Sequence, residues 1–426
     1  MKAAVWHGSL AEANAMLAAH PQLARADIHT AAIVGDDESV RAFIASDRTL
    51  ASAKSGPYDA EPLVYLCLSK YLRLDSARTE RMIRAATALL DAGADPNSGF
   101  LLNGEFETAM YGAAGVAHHA PMTRLLVERG GDPNDVEVVY HSPETRDLAV
   151  LTLLVETGRL TPESKRLMLI RKIDWHHVDG VKYLLEHGAE ANLAGTPGWT
   201  AIHHALVRDN SIEIIALLLD HGADPRMVDD GMTGVARAAR EGRSDVLELF
   251  ARRGISIDVQ GVDRLVAACA MGDSAAARAL VERDPTAAAA LHAMGGELLA
   301  KFSGTGNPPG VRALLDAGVD VAAPFARGDG YWGLAPGSLA IHSAAWRAQH
   351  AVVKLLVERG SPVDVKDARG RTPLALAVKA CVDSYWTERR KPESVATLLA
   401  AGASVEDVMF PSGYDEVDAL LRQRHI

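Results

Sequence analysis

The sequence predicts an all-α fold: a solenoid of about twelve helix-turn-helix repeats with finger loops between them, capped at both ends. Three observations lead there. A short tail recurs through most of the 426 residues: LLDAGADPN (89–97), LLVERGGDPN (125–134), LLEHGAEAN (184–192), LLLDHGADPR (217–226), LLDAGVDVA (314–322), LLVERGSPVD (355–364) and LLAAGASVED (398–407), with weaker copies at 153–160 and 249–258. Its glycine falls at positions 93, 130, 158, 188, 222, 254, 318, 360 and 402, a spacing that averages about 34 residues once one lost copy is allowed for. Hydrophobic residues make up 48% of the chain but aromatics only 5%, so the core is aliphatic and alanine-rich, which suits closely packed helices.

Each element follows from this pattern. Alanine pairs, as in TGVARAAREGRSDVLELF (233–250) and LAIHSAAWRAQHAVVKLL (339–356), mark a first helix that lets its neighbours approach. After a short break, the Leu-Leu run marks a second helix that fills the core. The glycine ends it with a left-handed cap, and Asp-Pro or Asp-x-Asn turns the chain into the next finger. The missing copy is ALVERDPTAAAA (279–290), where Asp284-Pro285 replaces the glycine. Residues 1–55 hold short N-terminal copies that end in a P-x-L-A-like tail. A central array spans 56–260, a second array with loop insertions spans 261–413, and 414–426 reads as a charged, amphipathic capping helix.

With DARGRTPLALAV (367–378) supplying a D-x-x-G-x-T-P-L opening, the phased set resembles the ankyrin repeat family over nearly the whole chain. The resemblance implies a protein-binding scaffold whose first helices and fingers line a concave surface. It also implies a structural role for His203 in TAIHHA and for His342 in LAIHSAA, each bonding to loop backbone between repeats. His119 and His177 fall in the break between helices and read as structural too.

Three departures from the period stand out. RLDSARTERMI extends the third repeat. VDVAAPFARGDGYWGLAPGS lengthens a finger and carries Tyr331 and Trp332 at its tip. KACVDSYWTERRKPES carries Trp386, and Trp346, in LAIHSAAW of the preceding repeat, joins Tyr331 and Trp332 as an expected partner-binding residue. Insertions in repeat arrays map to loops, often on the binding face.

Repeat phase places a row of polar residues on the exposed face of successive first helices: His141, Arg171, His204 and Arg237. A second row one turn later holds Glu144, Asp174 or Trp175, Arg208 and Arg240. Tyr111, Tyr140 and Trp199 flank them. Such a basic and aromatic stripe is expected to bind a partner or a small anionic ligand through charge-assisted bonds. The alternative is an enzyme, a hydrolase or lyase, using Glu107, His141, Glu144, Asp174 and His204 for proton transfer. No metal site is expected, because His141, Asp174, His176, His177 and His204 show no ligand spacing such as HExxH. No cofactor is expected either: KFSGTGNPPG (301–310) lacks the Lys-Ser/Thr of a P-loop and reads as a turn.

Net charge and cysteines narrow the partners. The formal charge of −11 argues against nucleic acid and anionic membranes and leans toward a basic protein. The three distant cysteines form no CxxC and read as reduced thiols in a cytoplasm. The first residues do not read as a signal peptide, and no apolar run reaches the ~18 residues a span needs. The alanine-rich, irregular repeats point to a bacterial chain, a cytosolic inhibitor or adaptor.

Overall fold

A computed structural model describes residues 1–195 and 199–423. They form helix pairs joined by fingers, with two short hairpins, Gly99–Leu102 paired to Glu105–Thr108 and Val228–Asp229 paired to Met232–Thr233. The fold class is the all-α repeat solenoid expected. Two compact units divide it: Met1–Ala201 with Leu217–Ala223, and Ile202–Ala216 with Asp224–Ile426.

One repeat shows how the pattern folds. Thr233 caps helix Gly234–Arg240, its hydroxyl accepting from Ala236 N at 3.2 Å. Val235, Ala236, Ala238 and Ala239 of that helix are buried. After the break at Gly242, helix Ser244–Arg252 buries Val246, Leu247, Leu249 and Phe250. The periodic glycines all take left-handed backbone, from φ 65° at Gly158 to 109° at Gly93, where a side chain is strained. Where the glycine is lost, Asp284 instead caps a new helix, Pro285–Ala293, accepting from Ala287 N at 2.9 Å.

The asparagines that end three of the tails, two in Asp-Pro-Asn and one in Glu-Ala-Asn, stitch successive fingers of the first unit. Asn97 Nδ2 donates to Gly130 O at 3.2 Å, and its Oδ1 accepts from Asp132 N at 2.8 Å. Asn134 repeats this with Arg159 O and Thr161 N, and Asn192 with Gly222 O. The P-x-L-A-like tails form 3-10 turns at Pro21–Arg25 and Arg48–Ser52. The cap helix runs Asp415–Arg422, and residues 424–426 of the expected cap lie outside the described residues.

The stretch KFSGTGNPPG departs from expectation. Lys301 to Thr305 complete helix Gly295–Thr305, and the break comes at Gly306-Asn307. Gly304 is a packing residue there: a Cβ on it would lie 2.7 Å from Ser343 Oγ on the neighbouring helix. No described helix is long and apolar enough to cross a membrane.

Candidate functional site

A polar cluster of the first unit grows from three adjacent repeats. Hairpin Gly99–Leu102/Glu105–Thr108 feeds helix Ala109–Tyr111, capped by Thr108, whose hydroxyl also donates to Asp135 Oδ2 at 2.6 Å. That helix continues into a π-helical turn, Gly112–Val116, a rare form often found at functional sites. Gly115 lets Tyr111 and His141 close over it: a Cβ there would fall 2.7 Å from Tyr111 Cδ2 and 2.9 Å from His141 Cβ. The Tyr111 and His141 ring centroids stand 5.3 Å apart.

His141 ends helix Val136–His141 between two carboxylates, Glu144 Oε2 at 3.0 Å from Nδ1 and Glu137 Oε2 at 3.3 Å from Nε2. The hydrogen bond with Glu144 lifts its pKa above the ordinary histidine value. Burial pushes the Glu144 carboxyl up, yet bonds from His141 and Arg171 outweigh it and hold the pKa low. Arg171 pairs with Glu144, meets Asp174 Oδ2 at 2.7 Å and stacks 4.0 Å from the Tyr140 ring centre. With both ring nitrogens of His141 engaged by carboxylates, neither is placed to pass a proton to a substrate. Glu107 is different. It is only 7% exposed, its Oε2 is buried without a hydrogen-bond partner, and burial followed by repulsion from Glu137 raises its pKa to about 7.

The second unit holds another charged cluster. Asp209 accepts from Arg243 Nη1 at 3.0 Å and from Arg347. Arg347 lies 3.9 Å from the Trp332 ring centre and 5.2 Å from that of Trp386. Trp346 Nε1 donates to Trp332 O at 2.8 Å, and the Trp332 and Trp386 rings lie 5.6 Å apart. Arg208 stacks on Tyr331 at 3.8 Å. The two tryptophan-bearing insertions therefore meet and close back on the repeat that carries Asp209. A polar cavity of about 280 Å³ opens beside it between Asn210, Ser244 and Asn307.

The family model for ankyrin repeats, in three copies, matches residues 147–229 and 167–261. Protein glp-1 of Caenorhabditis elegans is 25% identical over 196 residues, 41% of this chain and 15% of that protein. An ankyrin repeat protein of Fowlpox virus (strain NVSL) is 29% identical over 94 residues, 22% of this chain and 16% of its own length. Residues 147–261 are ankyrin repeats. The 2-5A-dependent ribonuclease of Mus musculus is 47% identical over 58 residues, 13% of this chain and 8% of that protein. The chain thus matches at most 16% of the length of these relatives.

The ankyrin histidines behave as the repeat implies. His203 Nε2 meets Met232 O at 3.1 Å, and His342 meets Val365 O at 2.9 Å. His29, not singled out from the sequence, does the same with Ala53 O at 2.8 Å; its setting in IHTAA was the available signal. His119 caps helix Ala120–Glu128, accepting from Met122 N at 3.1 Å, and His177 Nδ1 lies 3.1 Å from the Nζ of buried Lys172.

His204 overturns the expected exposed position. It is 7% exposed, within a run from 201 to 206 that is buried throughout. Helix Ala201–Val207 is enclosed on the face that repeat phase assigned to solvent. The expected basic stripe is also largely neutralised within the chain. Besides Arg171, Arg240 is held by Asp263 at 2.5 and 3.1 Å, and Arg237 lies 3.8 Å from Asp230. Trp175 is 48% exposed, and Trp199 is half-buried. Among the described residues no group of His, Cys, Asp and Glu side chains gathers as a metal site. Glu137, one of the carboxylates noted in the sequence, does join His141, whereas Asp209, Arg243 and Arg347 were missed. These three sit at or just after the break between helices, where the pattern seemed purely structural.

Proposed function

We propose that this chain is a protein-binding scaffold that recognises its partner through the fingers. The observation that carries this reading is the apolar surface the fingers expose. Leu101 and Phe106 face each other across the first hairpin and are 73% and 50% exposed, and Val228 on the second finger is 68% exposed. An apolar pair exposed together across a hairpin fits an interaction surface. The internal pairing of Arg171, Arg237 and Arg240 weighs against a small-anion site, and the engaged nitrogens of His141 weigh against a proton-transfer enzyme.

The finer reading is a bacterial cytosolic inhibitor or adaptor. Three buried, unpaired thiols, Cys67, Cys269 and Cys381, suit a reducing compartment. The test is affinity capture from the source cell's lysate by wild type and by the double variant Leu101→Ser/Phe106→Ser, with circular dichroism to verify folding. A protein retained by the wild type and lost from the variant supports the reading. Folded wild type that retains nothing, or equal retention by both, overturns it.

A further inference from the structure

We propose that the corner beneath the first finger, built around Glu107, accepts a lysine or arginine side chain of the protein partner. The proposal rests on the scaffold reading and specifies the chemistry of its partner.

Three observations converge. Glu107 is more than nine-tenths buried, and its Oε2 has no hydrogen-bond donor. An orphaned buried carboxyl oxygen costs free energy that a charged donor recovers. The terminal torsion of glutamate is broad, so either oxygen can turn to meet a donor. No lysine or arginine among the described residues pairs with Glu107; the nearby Arg171 is taken by Glu144 and Asp174.

Aromatic rings stand beside it. Glu107 lies directly across the hairpin from Phe100, so both side chains leave the same face of the ribbon. Phe100 stacks on Tyr58 at 4.5 Å, and Trp6 meets Phe100 at 6.3 Å and Tyr111 at 5.9 Å. Ring faces next to a carboxylate attract ammonium and guanidinium groups.

The remaining charge is acidic. Glu105, Asp135 and Glu137 all push against Glu107, with His141 alone opposing them, and His141 is itself held by Glu137 and Glu144. A neutral or anionic ligand finds nothing here to offset that repulsion, whereas an incoming cation does. On binding, Glu107 gives up its proton to solvent and its carboxylate accepts the N–H of the cation.

The test uses the full chain and hexalysine as probe, with Nε-acetylated hexalysine as the neutral control. Isothermal titration at pH 7 is expected to show hexalysine binding at least about tenfold tighter than the control. Glu107→Gln should weaken it about tenfold, while Glu128→Gln, which removes an exposed carboxylate, changes it less than about twofold. At pH 6, titrations in buffers of different ionisation enthalpy should reveal proton release on binding that is absent in Glu107→Gln. Equal binding by wild type and Glu107→Gln, equal weakening by both variants, or no hexalysine binding overturns the inference. A partner captured through Leu101 and Phe106 but indifferent to Glu107→Gln would sink this inference and leave the scaffold standing.

Discussion

The two compact units use the same residue types in opposite ways. In the second, Asp209 is shared by two arginines that are nearly fully buried, and aromatic faces from Trp332 and Trp386 cover Arg347. In the first, His141, Glu144, Arg171 and Asp174 satisfy one another, yet Glu107 beside them is left buried without a donor. The second cluster has an orphan too, the buried Nε of Arg347, but its charges are matched by carboxylates within the chain, and that makes it a fastening. Glu107 has no lysine or arginine paired with it among the described residues, and that invites one from outside. The difference separates structure from function more sharply than any count of charges.

The largest expected effect breaks the fastening. Asp209→Ala strips the shared carboxylate from Arg243 and Arg347, whose side chains are 5% and 4% exposed. Breaking a buried ion pair by removing one partner costs about 3–5 kcal/mol. Arg243 keeps Asp245 at 2.8 Å, so the lower end applies, about 3 kcal/mol. Urea denaturation followed by tryptophan fluorescence measures it. A loss under about 1 kcal/mol would mean the cluster does not hold the second unit closed.

The next effect tests the orphan. Glu107 titrates near 7 in the folded chain against an ordinary 4.5. Between these values the unfolded chain ionises while the folded one keeps its proton. Stability must therefore fall as pH rises from about 4.5 to about 7, by on the order of 3 kcal/mol, and level off above. His141, raised through Glu144, adds a loss in the same direction, so the comparison must be with Glu107→Gln. That variant should be the more stable at pH 7.5, by about 2 kcal/mol, with a shallower slope below pH 7. Denaturant midpoints measured at pH 5, 6, 7 and 8 decide it, and identical profiles for both proteins would remove the orphan.

The fold was legible because it is periodic: a glycine closing nine of the repeats, each in left-handed backbone, sets the register of what lies between. The structural histidines were legible for the same reason. The clusters were only half legible. Repeat phase brought out His141, Arg171, Glu144 and Asp174, which do meet. It could not show that Asp209 reaches Arg347, 138 positions along the chain, because that contact depends on insertions that break the period. It also misjudged His204, since phase gives the direction a residue takes from its helix and not what covers it. Gly304 misled in the same way, a close-packing residue read as a turn signal.

A smaller effect probes the finger that closes the second unit. Tyr331 is exposed but lies under Arg208 at 3.8 Å and edges Trp332 at 4.7 Å. Tyr331→Ala should cost about 1 kcal/mol, the scale of an exposed cation–π contact with one aromatic pair. If the finger is instead held only by Trp332 and Arg347, the midpoint of urea unfolding will not move.

The smallest effect separates the units at a single backbone position. The break between helices needs left-handed backbone, supplied by Gly35, Gly242, Gly272 and Gly306 but also by His118, His176, Asp209 and Ala348. A non-glycine residue there pays for its Cβ by roughly 0.5–1 kcal/mol. His176, at φ 50° and exposed, should recover that strain on changing to glycine, reduced by whatever its imidazole contributes, for a net gain of at most about 1 kcal/mol. Asp209, also at φ 50°, relieves the same strain in Asp209→Gly but loses two arginine contacts, so its stability must fall. Opposite signs for His176→Gly and Asp209→Gly would show that Asp209 is kept at a strained position for its charge. Equal gains would mean that the backbone, not the arginines, decides both.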